Sequence, residues 1–210
     1  MNLRTILLTS LVLALPICAA DKAAKPGKWV KMWNGKNLDG WKANEHPEAW
    51  TVVKEDGKPA LKTSGFRSHL FWMKEECENC EFKAEFKCTQ GGNSGMYFRT
   101  AFGPGFPKGY EAQVNATHTD PVKTGSLYNF HKNFESPTKN DEWGTQDIIA
   151  DGNHIIIKVN GKVITDFVDE KKTFMKGYLA LQGHDPKSTT YYRNLQFRKL
   201  PPTAPAADKK

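Results

Sequence analysis

Hydrophobic residues in this chain recur with a period of two, and no long stretch shows the 3.6-residue period of a helix. Residues 82–87 set the pattern: Phe82, Ala84 and Phe86 alternate with Lys83, Glu85 and Lys87, so one side faces a core and the other faces water. The same reading predicts further strands over 50–53, 70–72, 96–99, 110–114, 126–130, 154–159, 162–167, 178–182 and 191–197. Asn160-Gly161 separates two of these runs and marks a tight hairpin, because both central residues of that turn need positive φ. Many short strands with no helical pattern between them predict an all-β antiparallel sandwich of the jelly-roll kind. A closed barrel is the alternative.

The ends differ from this body. Arg4 followed by an apolar run over 6–17 and then Cys18-Ala19-Ala20 reads as a signal peptide cleaved after Ala20. That run is shorter than the roughly 20 residues needed to span a bilayer. Ile17 is bulky where lipidation at Cys18 would want a small residue, so cleavage is preferred over a lipoprotein anchor. Periplasmic or secreted location follows. The expected organisation is signal 1–20, polar linker 21–28, sandwich domain 29–199 and a Pro/Ala/Lys tail 200–210.

Charge changes the picture only until it is located. The net charge is +7, yet the residues outside 33–198 hold eight basic side chains against two acidic ones, which leaves the body near +1. A nucleic-acid binder would carry its basic charge on the folded surface, so no nucleic-acid partner is expected. After cleavage three cysteines remain, Cys77, Cys80 and Cys88. No second ligand pair follows for zinc, and no βαβ context exists for a thioredoxin-like site. One disulfide and one free thiol are expected, with the pairing open.

Three strands carry polar residues on the face away from the core. Met96 and Phe98 read as core, which sends Tyr97 and Arg99 the other way. Tyr110, Ala112 and Val114 share one face, and Glu111 and Gln113 the other. Leu179 and Leu181 read as core and leave Gln182 and His184 opposite. Six Trp, six Tyr and twelve Phe offer faces for sugar rings, although most belong to a core. Serine-nucleophile, phosphate-loop, zinc-protease and calcium-loop motifs are missing. No cofactor is required by the pattern. A divalent metal held by His131, His184 and Glu111 is the weaker alternative to structural histidines.

The residues resemble a family. Trp33-Asn34-Gly35-Lys36-Asn37-Leu38-Asp39-Gly40-Trp41 is similar to the opening motif of the 3-keto-disaccharide hydrolase domain family. Gly92 to Arg99, Gly109 to Val114, Thr124 to Tyr128, Glu142-Trp143 with Val159-Asn160-Gly161, Leu181 to His184, and Arg193-Asn194-Leu195 match its later motifs in order. Gly183 stands where the family often has Asp, and 155–159 lacks a Trp sometimes found there. The resemblance implies a concanavalin A-like jelly roll and an exported enzyme that cleaves 3-keto-glycosides. Its chemistry would be C2 proton abstraction and elimination, with net hydrolysis once water adds. It assigns His184 or Glu111 as base and Arg99 as enolate stabiliser. Tyr97, Gln113, Gln182 and Asn93 would hold sugar hydroxyls, with His131 a reserve acid. A non-catalytic carbohydrate-binding module of the cell envelope is the alternative function.

Overall fold

The computed structural model describes residues 25–202; the expected signal peptide, Cys18 and residues 203–210 lie outside them. Two antiparallel sheets form a sandwich, and the described residues contain no α-helix. The larger sheet comprises β1 (Val30–Lys31), β3 (Trp50–Glu55), β4 (Lys58–Thr63), β6 (Cys80–Cys88), β9 (Gly144–Asp151), β10 (His154–Val159), β11 (Lys162–Val168) and β13 (Thr190–Lys199). Its order is β11-β10-β9-β6-β13-β4-β3, with β1 also on β13. The smaller sheet runs β2 (Trp41–Ala43), β5 (Ser68–Cys77), β12 (Gly177–Gly183), β7 (Ser94–Thr100) and β8 (Tyr110–Val114).

Alternation builds the core between them. Phe82, Phe86, Ile148, Ile155, Ile157 and Phe197 of the larger sheet are buried against Trp72, Met96, Phe98, Leu179 and Leu181 of the smaller. Trp72 and Phe197 meet across the gap with ring centroids 5.1 Å apart. Each such side chain contributes about 1.5–3 kcal/mol through burial. The outer face of the smaller sheet therefore carries what the core rejects: His69, Phe71, Tyr97, Glu111, Gln113 and Gln182.

The expected hairpin joins β10 to β11, with Asn160 at φ 49° and Gly161 at φ 78°. Four strands escaped the pattern: the short β1 and β2, and β4 and β9, in which the alternation is masked. In β9 the inward row is Gly144, Gln146, Ile148 and Ala150, and the buried Gln146 hides the alternation; its Nε2 donates to the Ala112 carbonyl at 3.1 Å. In β4, Pro59 and the adjacent buried Ala60 and Leu61 hide it. The expected strand over 126–130 is instead a turn with isolated bridges from Leu127 to Ala112 and His131. Gly125 at φ 87° and Asn129 at φ 66° turn the chain too sharply for a ladder.

Cys77 pairs with Cys80 and the buried Cys88 is free. The disulfide lies in the turn that carries the chain from β5 of one sheet to β6 of the other. Arg99 serves this turn. On β7, Phe98 and Arg99 lie between the pairs Tyr178↔Thr100 and Ala180↔Tyr97, where β12 has only Leu179. This is a bulge, and Arg99 at φ 50° is its left-handed residue. The bulge breaks the alternation, so Arg99 leaves the face of Tyr97. It is 1% exposed and donates to the Glu78 carbonyl at 2.9 Å and the Phe174 carbonyl at 3.2 Å. An Arg99→Ala substitution leaves two carbonyls without their donor and is expected to cost about 3 kcal/mol in urea unfolding. Ligand affinity of the folded variant should stay unchanged; a stable variant that no longer binds would return Arg99 to the site.

Candidate active site

A cavity of about 460 Å³ opens on the outer face of the smaller sheet, lined on its floor by Tyr97, Glu111, Gln113 and Gln182. These side chains form a continuous chain of hydrogen bonds across three neighbouring strands. Gln182 Nε2 donates to the Tyr97 hydroxyl at 3.1 Å, and that hydroxyl donates to Glu111 Oε2 at 2.7 Å. With its amide oriented to satisfy both ends, Gln113 donates to Glu111 Oε1 at 3.2 Å and to the Ser94 carbonyl at 3.1 Å. Gly95 explains how the carboxyl lies so close to β7: a Cβ there would overlap Glu111 Oε1.

Burial dominates the electrostatics of Glu111. Loss of solvent pushes its carboxyl up, the bond from Tyr97 pulls it down, and the charge of Asp120 pushes it up again, to about 8. The group is therefore largely protonated at neutral pH, able to donate a proton rather than take one.

His184 stands at another wall of the same cavity, beyond the end of β12. Its Nδ1 lies 2.7 Å from Asp185 Oδ2. Burial pushes the Asp185 carboxyl up, but bonds from His184, from the Ser188 hydroxyl and from the Lys187 backbone N–H outweigh it and hold the carboxyl at about 2. An ionised Asp185 fixes the proton of a neutral His184 on Nδ1 and leaves Nε2 as a free acceptor. Asn93 completes this side; its backbone N–H donates to the Ser188 hydroxyl at 2.9 Å, and the residue lines the cavity.

Six of the eight expected site residues thus converge: Asn93, Tyr97, Glu111, Gln113, Gln182 and His184. Two do not. Arg99 is spent on backbone carbonyls, as described above. His131 lies off the cavity lining, with Nδ1 3.2 Å from the Thr165 hydroxyl. Because His131 follows the turn that replaced the expected strand, it never reaches the outer face.

The structure adds residues that the alternation could not place, because they come from loops. Tyr128 donates to Asp120 Oδ2 at 3.0 Å, and both line the cavity with the ring of Phe106. Tyr128 ends a matched motif, a signal that was available; Asp120 and Phe106 carried none. His118 packs its ring 5.3 Å from that of His184. Among the described residues, His118, His184 and Asp185 are the group that could hold a metal ion, their ligand atoms lying within 4.8 Å of one another. This replaces the expected set of His131, His184 and Glu111. His118 Nδ1 accepts the Asp120 backbone N–H at 3.0 Å, so the neutral ring carries its proton on Nε2 and would have to release it to bind a cation there.

The family of this sandwich and the proteins it is similar to mark it as carbohydrate-related. The chain belongs to the 3-keto-alpha-glucoside-1,2-lyase-like domain family, whose model matches residues 28–198. It is similar at 26% identity to a candidate glycosyl hydrolase from Parabacteroides distasonis ATCC 8503, over 82% of this chain and 100% of that one, with a TM-score of 0.67. A second such protein from the same organism is 21% identical over 83% of this chain and 94% of its own, with a TM-score of 0.70. The carbohydrate-binding module CBM66 from Bacillus subtilis shares the fold at 16% identity and a TM-score of 0.57, over 76% and 96% of the two chains. No curated protein matches the chain.

Two outcomes test this geometry. The folded protein holds the Glu111 proton more tightly than the unfolded chain does, so stability should fall as pH rises from about 4.5 towards 8. Urea unfolding across that window should show the decline in the wild type and much less of it in Glu111→Gln. Gly95→Ala should displace the carboxyl and lower ligand affinity at least tenfold by calorimetry, about the effect of one lost polar contact.

Proposed function

We propose that this protein cleaves 3-keto-glycosides by elimination across C1–C2. The observation that carries the reading is an acid and a base on one cavity: Glu111, protonated at neutral pH, and the Asp185-oriented His184 with Nε2 free. A sugar oxidised to a ketone at C3 has an acidic C2 proton, and His184 Nε2 removes it. The electron pair settles on the C3 oxygen as an enolate. Its return re-forms the ketone, makes the C1–C2 double bond and breaks the bond from C1 to the leaving oxygen, which takes the Glu111 proton. Water adding across C1–C2 afterwards completes a net hydrolysis. The pairing of roles narrows the expectation from sequence, in which His184 and Glu111 were alternative bases.

Tyr97, Gln113, Gln182 and Asn93 hold sugar hydroxyls in this reading. Asp120 and Asp185 disfavour anionic sugars and select neutral glycosides. A divalent cation on His118, His184 and Asp185 would occupy the His184 lone pair that the base needs, so the step is expected to run without one. The protein is read as exported after removal of residues 1–20, which N-terminal sequencing of the mature form would check.

The decisive experiment incubates the purified protein with p-nitrophenyl 3-keto-glucoside and its unoxidised parent, with and without EDTA, and follows nitrophenol. Release from the keto compound alone is expected. His184→Ala and Glu111→Gln should each lower kcat/KM by about 10²–10⁴. Activity should also fall as pH rises through about 8, where Glu111 loses its proton. Binding of sugar without release from either compound would instead favour a non-catalytic binding module.

A further inference from the structure

One buried titratable side chain of the smaller sheet takes no part in the scheme above. His69 is 0% exposed, and neither of its ring nitrogens has a hydrogen-bond partner. A core histidine normally makes at least one bond, since an unmet buried polar atom costs about 1–3 kcal/mol. Position makes the omission informative. His69 pairs directly with Gln182 across β5 and β12, so both side chains rise from the same outer face. Its ring stands edge-on to Tyr97 with centroids 4.9 Å apart. Two more polar atoms along this face are also buried without a partner, Gln182 Oε1 and Asn93 Oδ1. Four unmet atoms, two of them on His69, thus belong to this face, while others such as Trp72 Nε1 and Gln146 Oε1 lie elsewhere.

One ring packed on His69 comes from a loop. Phe106 sits 5.6 Å from His69 on one side and 5.9 Å from the His184 ring on the other. It is itself 52% exposed and belongs to the loop 101–109, Ala-Phe-Gly-Pro-Gly-Phe-Pro-Lys-Gly. The base of this loop is closed by the bond from Ala101 N to the Lys108 carbonyl. Beyond it, Asn44 Nδ2 donates to the carbonyls of Gly103 and Gly105, Phe102 packs edge-on to Phe71 at 4.9 Å, and Arg67 lies over the Phe106 ring at 5.3 Å. Phe106 is thus a half-exposed contact shared by the two histidine rings, and moving it outward would uncover both on that side.

Burial also pushes the His69 imidazolium down to about 3, with smaller effects from Glu45, Arg67 and His184, so the ring stays neutral at working pH. A neutral imidazole keeps one N–H to donate, and a donor of this kind can polarise a carbonyl without transferring its proton.

We propose that His69 is a further catalytic residue of this site, its N–H donating to the ketone oxygen of the substrate once Phe106 has swung aside. This rests on the elimination reading and fills the role that Arg99 cannot. As His184 takes the C2 proton and the electron pair moves to the C3 oxygen, the His69 N–H strengthens its bond to that oxygen. The pair then returns to form the double bond, and His69 keeps its proton throughout.

The test separates this proposal from the reading beneath it. Diethyl pyrocarbonate acylates neutral imidazoles, and peptide mapping reads each histidine. His69 should be unreactive in the wild type, reactive in Phe106→Ala, and protected there by methyl 3-keto-glucoside. In turnover, His69→Phe should lower kcat by about 10²-fold with KM little changed and the melting temperature retained, while His69→Gln recovers most of the loss. Should His69→Phe fail to fold, His69→Gln and the Phe106→Ala labelling still decide. Turnover by the wild type together with no protection of His69 by the keto-sugar in Phe106→Ala, or undiminished kcat in His69→Phe, overturns the proposal and leaves the elimination reading intact. If the keto-glycoside is not cleaved at all, the catalytic role falls with that reading. Protection of His69 by methyl glucoside would then establish a sugar contact alone, and absence of protection would remove that too.

Discussion

A carboxyl group buried against the backbone of a neighbouring strand sets the terms for this protein. Glu111 sits where water cannot reach it easily, and three side chains from three strands are needed to keep it there. Tyr97 and Gln182 hold one oxygen in a relay across the sheet, Gln113 holds the other, and Gly95 leaves the room. Desolvating a carboxyl is expensive, and it stays ionised only with strong compensation. The compensation here is incomplete, with Asp120 adding repulsion, and the proton remains bound into the neutral range. The sandwich matters to function chiefly because its antiparallel register places these residues opposite one another without any loop having to adjust.

Beside His184, on the wall of the same cavity, the opposite case is built. Asp185 receives a histidine, a serine hydroxyl and backbone N–H groups, and its carboxyl stays ionised despite partial burial. A carboxyl group on the cavity and one behind the cavity's histidine are thereby driven to opposite protonation states by their surroundings. Such a split is what acid–base chemistry on a neutral substrate requires, and it distinguishes this face from a surface that merely carries polar residues.

Much of this was legible in the chain. Period-two alternation identified the strands that carry Tyr97, Glu111, Gln113 and Gln182, and also the face on which they lie. It worked because a sheet with one dry side obeys a strict rule. The rule failed where a strand breaks it. The bulge at Arg99 inserts one residue, and from there the polar side chain that should have joined Tyr97 turns to the sandwich edge instead. Gln146 misled in the other direction, a polar residue facing inward and masking β9. Asp120, His118 and Phe106 were out of reach for a different reason: loops have no period, so nothing in their spacing says which part of the sheet they will cover. His69 was hidden by its company, since a histidine between Ser68 and Leu70 in a strand gives no sign of being left unbonded.

The loop over the cavity also bears on how such a protein can change. Residues 101–109 leave β7 and re-enter β8 through a base closed by backbone bonding at Ala101 and Lys108 and by the Thr100 hydroxyl on the same carbonyl. Distal to that clasp, Phe106 and Pro107 line the pocket and Phe102 packs on Phe71 of the sheet's outer face. The segment is therefore an exchangeable cassette: its length and aromatic content can drift among related chains while the register of Tyr97 against Glu111 stays fixed. Diversity in the glycosides these sandwiches accept is expected to be written there first.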